Sequence, residues 1–119
     1  MSNQTLELAV TELELDMVHG MVDYILTILK DYNQWVAQSP TETRIRMSKE
    51  FEEGLRYEIG SKYIKIITGS SVHSFILKKG DIRFNRGDIL KANSWKAPAT
   101  NFARGNILTK NYKVKWTGA

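Results

Sequence analysis

The hydrophobic period of this chain changes part-way along, within a few residues of Gly60, and that change limits the folds open to it. Before it, apolar residues recur three and four apart: Leu15, Val18, Met21, Val22, Ile25, Ile28, Leu29, Tyr32, Trp35 and Val36. That spacing predicts one long helix with a single apolar face. From Leu55 onward the period is two. Leu55, Tyr57 and Ile59 alternate with charged residues, and the run from Tyr63 to Thr68 follows. Alternation of this kind predicts half-buried strands. A helical half followed by a β half is an α+β chain.

Local signals place the boundaries. Thr11 and Glu14 have the spacing of a capping box for the first helix. Gly20 interrupts the helical pattern, and it either lets another backbone approach closely or is simply tolerated at a cost of up to about 1 kcal/mol. Leu6, Leu8 and Val10 alternate with polar neighbours and read as an extended arm or a frayed turn. Ser39-Pro40-Thr41-Glu42 places Ser at the N-cap, Pro at the first helical position and Glu at the third. A second helix is expected from Pro40 to about Glu53, its stripe formed by Ile45, Ser48, Phe51 and Leu55, with Gly54 as its stop. The short link predicts a helical hairpin or a sharp corner.

The β half reads as several short strands. Gly60 marks a bulge or bend, and Gly69-Ser70-Ser71 a turn. Val72–Leu77 is a strand that extends through Gly80 into Asp81–Phe84. Asn85-Arg86-Gly87 is a turn and Asp88–Ala92 a strand. A loop follows from Asn93 to Ala103. Asn106–Leu108 and Tyr112–Trp116 are the closing strands. Such a set fits a small antiparallel β-barrel or strongly curled sheet, SH3-like or Sm-like. The alternative is an open sheet with the helical hairpin on one face. At 119 residues the whole chain, 1–119, reads as a single domain with parts 1–54 and 55–119.

Charge divides at the same place. The net charge of +4 conceals two biased halves. Residues 1–59 carry five basic and eleven acidic side chains, and residues 60–119 carry twelve basic and two acidic. This asymmetry implies a basic binding surface, or two regions that attract each other.

Function classes narrow accordingly. There are no cysteines, so a disulfide framework and a thiolate nucleophile are excluded. No cofactor motif, small-molecule substrate or metal-ligand spacing is evident. His19 and His73 are the two imidazoles. His73 pairs in principle with Asp81 or Asp88, though nothing in the spacing demands it. No catalytic residue is assigned, and the chain reads as non-enzymatic. The N-terminus lacks a signal peptide and no apolar run reaches membrane-span length, so a cytoplasmic location is expected, with no membrane partner.

Two surfaces remain. Aromatic residues interleave with cations in the β half, and a nucleic-acid site would use Lys91, Trp95, Lys96, Arg104, Lys110, Lys113 and Lys115. The apolar face of the first helix is wider than one short helix can cover. Val18, Met21, Val22, Ile25 and Leu29 are therefore candidates for a homo-oligomer interface. Self-association of a binding or structural module is the leading expectation, and nucleic-acid binding is the alternative.

A family resemblance covers residues 62–108. It rests on Lys62-Tyr63-Ile64-Lys65-Ile66-Ile67, Ser71-Val72-His73-Ser74-Phe75 and Gly87-Asp88-Ile89-Leu90-Lys91-Ala92. Ser94-Trp95-Lys96-Ala97-Pro98-Ala99 and Ala103-Arg104-Gly105-Asn106-Ile107 complete it. Together they resemble small uncharacterised proteins of marine bacteriophages, especially those of cyanobacteria. The resemblance implies a source, with the host cytoplasm or the virion as location, and no mechanism. Gly80–Phe84 then reads as an insertion.

Overall fold

The computed structural model describes residues 13–119. Thr11 and the Leu6–Val10 segment lie outside the described residues. Helix α1 spans Leu15–Gln38 and helix α2 spans Glu42–Gly54. Strands β1 (Leu55–Ile59), β2 (Tyr63–Thr68), β3 (Ser71–Leu77) and β4 (Ile89–Lys91) form one antiparallel sheet in chain order. Strands β5 (Gly105–Asn106) and β6 (Asn111–Tyr112) form a separate short hairpin. The chain is α+β, with two helices before a small antiparallel sheet.

The core lies between α1 and one face of the sheet. Met17, Val18, Met21, Tyr24, Ile25 and Ile28 pack on Leu55, Tyr57, Ile64, Ile66, Ile76 and Ile89. Each fully buried aliphatic side chain contributes about 1.5–3 kcal/mol. Ile107, in the turn between β5 and β6, joins the same cluster. Gly20 explains how. A Cβ there would lie 2.9 Å from the Ile107 carbonyl oxygen, so only glycine lets that turn rest on the helix.

Helix α2 buries no residue. Ile45 is 59% exposed and Met47 40%. Its expected stripe is therefore little used, apart from Phe51, which stacks on Tyr32 at 4.1 Å, and Ser48, which donates to Asn33. Its cap is also shifted. The Thr41 hydroxyl accepts the Arg44 N–H at 3.1 Å, so Thr41 and not Ser39 is the N-cap, and Pro40 precedes the helix. For α1 the N-cap is Glu14 itself, without a side-chain cap bond, because its carboxylate goes to Arg86 instead.

The sheet is an open meander and does not close into a barrel, since β4 pairs with β3 and not with β1. The bulge lies between Ile66 and Ile67 and not at Gly60. Gly60 sits in the β1–β2 connection, where its N–H donates to the Tyr63 carbonyl. Asp81–Phe84 is a loop, not a strand. The Asp81 carboxylate accepts the N–H groups of Arg83 and Phe84, taking donors that a strand would need.

Both sheet edges are protected. On β1, Arg56 and Glu58 point outward and are exposed. On β4, residues 98–104 run alongside: Ala99 N–H donates to Lys91 and Arg104 N–H to Ile89.

The two halves attract through named pairs. Arg86 donates to Asp16 at 2.6 and 2.8 Å and to Glu14 at 3.1 Å. Lys110 meets Asp23 at 2.7 Å, and the Trp116 N–H donates to Asp31. Arg86 pulls the Asp16 carboxyl down to about 2, chiefly through its hydrogen bond.

Candidate nucleic-acid interface

The interface is built on the segment that follows β4. Its first turn is set by Ser94, whose hydroxyl accepts the N–H groups of Lys96 and Ala97. The Asn93 and Ser94 N–H groups both donate to the Ala97 carbonyl. This tight fold leaves Trp95 at its tip, 43% exposed. Lys65 Nζ sits over the Trp95 ring, 4.6 Å from its centroid, and 6.0 Å from that of Phe75. Tyr63 meets Phe75 edge-on at 5.6 Å. Trp95 thus stands over the sheet face opposite α1.

Further along, Phe102 is 54% exposed and carries the Arg104 guanidinium 3.9 Å above its ring. Stacking fixes the plane of that cation. Arg104 Nε is buried with no hydrogen-bond partner among the described residues. Arg104 makes no ion pair among the described residues either.

Arg104, Lys110 and Lys113 line one open groove of about 800 Å³, with Asn85, Asn106 and Asn111. Its floor is a polar knot. Asp88 accepts the Asn85 N–H and an Asn106 Nδ2–H, both at 2.8–2.9 Å. Asn106 also donates to the Arg86 carbonyl and accepts the Leu108 and Thr109 N–H groups. The Asp88 charge is therefore spent on holding the hairpin. Gly105, with φ of 144°, sits where a Cβ would strike the Asn111 carbonyl. Lys110 is held protonated above its ordinary range by its hydrogen bond to Asp23.

His73 is organised differently. Its Nε2 lies 2.7 Å from the Lys115 carbonyl, which can only accept, so Nε2 carries the proton. Nδ1 then accepts from Ser74 Oγ at 2.9 Å, and Ser74 accepts from the Tyr24 hydroxyl at 2.8 Å. Burial holds His73 below its usual 6.5, against the opposing Lys115 hydrogen bond. Burial likewise holds the Tyr24 phenol above its usual range. Neither Asp81 nor Asp88 reaches His73, so the acid–base pair considered from the sequence is not assembled.

A model for a family of unknown function, DUF7717, matches residues 8–119. The chain belongs to that family. No curated protein and no solved structure matches it. The DUF7717 match covers every element from α1 to β6 and extends beyond the stretch 62–108.

Within this DUF7717 chain the seven expected nucleic-acid residues fall in separate places. Arg104, Lys110 and Lys113 share the groove. Trp95 lies over the outer sheet face, and Lys96 lines a cleft there with Lys62, Tyr63 and Lys65. Lys91 lines a small cleft beside His73. Lys115 is exposed, and its carbonyl serves His73. Of the expected interface residues, Val18, Met21 and Ile25 are buried in the chain's own core, so they are unavailable to a second copy. Val22 and Leu29 are half-buried at its margin. Lys65 and the Asn85–Asp88–Asn106 knot have no signal in the sequence that marks them for this site. Phe102 is not one of the seven, although Phe102-Ala103-Arg104 is among the aromatic–cation stretches that point to the interface. No helix among the described residues is long and apolar enough to cross a membrane.

Proposed function

We propose that the chain is a non-enzymatic module that binds nucleic acid through the groove of Arg104, Lys110 and Lys113. The observation that carries this reading is the Arg104 guanidinium, stacked on Phe102 and without an ion pair among the described residues, beside Lys113 in a concave site. Phosphate is the anion that a fixed guanidinium fork and an ammonium group suit together. Amide groups of Asn85 and Asn111 add neutral hydrogen-bonding capacity at the same wall. The basic half supplies the surrounding field, while Asp16 and Asp23 of the acidic half are already paired with Arg86 and Lys110.

The test is fluorescence anisotropy with labelled oligonucleotides at two salt concentrations. Binding at low salt should weaken steeply at high salt. Replacing Arg104 and Lys113 by Gln should lower the slope of log K against log salt by about one for each phosphate no longer neutralised. No binding at low salt sinks the proposal.

Self-association keeps one supporting observation. Leu15 and Leu26, 60% and 55% exposed, share a side of α1 with Val22 and Leu29, beside the buried stripe. Light scattering over a concentration series tests it, and a monomer throughout would dismiss it.

A further inference from the structure

Twelve aromatic side chains lie in this sequence, all within the described residues. Only two of them, Trp95 and Phe102, are exposed. Both belong to the one segment between β4 and β5. Each has a cation placed against its ring: Lys65 at 4.6 Å from Trp95 and Arg104 at 3.9 Å from Phe102. Around half of each residue still faces solvent, at 43% and 54%.

Exposing large rings is unfavourable, and this fold had the means to avoid it. Trp116 and Phe51 are half-buried against Tyr32. The Ser94 turn instead holds Trp95 outward, and the pairing of Arg104 N–H with Ile89 positions Phe102 beside the groove. A flat apolar face next to a fixed cation matches a nucleotide, whose base is flat and whose phosphate is anionic.

Resting on the nucleic-acid reading above, we infer that the ligand is single-stranded, with unpaired bases stacked on Phe102 and Trp95 while Arg104 and Lys113 hold phosphates. A duplex hides its base faces in its own stack, so these two rings would find nothing to cover. The site has no evident means of telling one base from another, since stacking tolerates every base. Deoxyribose and ribose strands share the chemistry it uses.

The test compares four labelled probes of equal length at low salt: a single-stranded DNA, the matching RNA, the DNA duplex and an abasic DNA strand. Each is titrated with the wild-type chain and with Phe102→Ala, Trp95→Ala and Lys113→Gln. Circular dichroism confirms that the variants fold, which their exposed positions favour. The expected result is roughly tenfold tighter binding of base-bearing single strands than of the abasic strand. Phe102→Ala should lose a similar factor on single strands and leave the salt slope unchanged. Lys113→Gln should reduce the salt slope for every probe. Equal binding of abasic and base-bearing strands overturns the inference and leaves the phosphate reading standing. Binding of the duplex as tight as the single strand does the same. Failure of all four probes overturns both. The DNA and RNA arms show which sugar the site prefers, with either preference supporting the single-strand assignment.

Discussion

Trp95-Lys96 and Lys115-Trp116 look alike in the sequence, yet the fold uses them in opposite ways. Trp116 meets Tyr32 edge-on at 4.9 Å, tilts against Trp35 at 5.4 Å and faces the edge of Phe51 at 6.1 Å. That cluster joins α1, α2 and the C-terminal segment. Trp95 has Lys65 over its ring, meets no other ring among the described residues and is 43% exposed. The difference teaches that an aromatic beside a cation has no fixed meaning. What decides is whether other rings are within reach once the chain is folded.

The largest expected effect breaks the packed member of the pair. Trp116→Ala takes away its packing on three rings and should cost about 3 kcal/mol of stability, read by urea denaturation. Trp95→Ala should cost less than about 1 kcal/mol in the same assay. Equal losses would erase the distinction.

Next in size is Gly20→Ala. The new methyl meets the Ile107 carbonyl at 2.9 Å, so the turn under the groove must shift. A destabilisation of about 1–3 kcal/mol is expected, with Trp95 fluorescence unchanged.

Acid should sharpen the comparison further. Burial in the folded chain disfavours the protonated form of His73, whereas the unfolded chain takes up a proton near 6.5. The unfolded state thus binds more protons below that value, so this contribution to stability is full above pH 6.5 and falls as the pH drops below it. Nε2 of His73 donates to the Lys115 carbonyl, next to Trp116. Lowering the pH from about 7.5 to about 5 should therefore loosen the Trp116 cluster before it alters Trp95. His73→Gln should remove the pH dependence in that window. Lys91 shares the cleft beside His73.

The smallest effect concerns Lys110. Asp23→Asn removes its partner and should tighten polyanion binding by about threefold, in keeping with the modest worth of an exposed pair. Weaker binding would show that the pair positions Lys110 and does not restrain it.

Much of the fold was legible because period survives packing. The three-and-four spacing of α1 and the alternation in β1 and the start of β2 both report which side faces the core, whereas β3 is buried on both faces from His73 to Leu77 and carries no such alternation. The cap of α2 is misplaced by the sequence because two hydroxyl residues flank Pro40 and the Glu42 signal favours the wrong one. Only Thr41 reaches an N–H three residues on. Asp81–Phe84 has the alternation of a strand, but the Asp81 carboxylate competes for the backbone donors. Barrel closure was unreadable since it depends on how β4 ends, and residues 98–104 take the edge that β1 would have used.

The candidate site was legible in part. Residue types marked Arg104, Lys110 and Lys113, but charge alone did not separate them from Lys91 and Lys115. The width of the apolar stripe on α1 suggested a partner. The sheet and the Ile107 turn cover most of it, because one helix face can serve a sheet and a hairpin together.

The stretch alongside β4 has a second consequence. It caps the strand that would otherwise offer free Lys91 and Ile89 carbonyls to another chain. The same short segment carries Trp95, Phe102 and Arg104. A chain that lengthened or reshaped this segment to change its ligand would also be unsealing its sheet. Under the proposed binding role, any change in what is bound would thus be tied to the risk of aggregation, and drift should concentrate on the tips at Trp95 and Phe102 while the residues whose N–H groups reach β4 stay put.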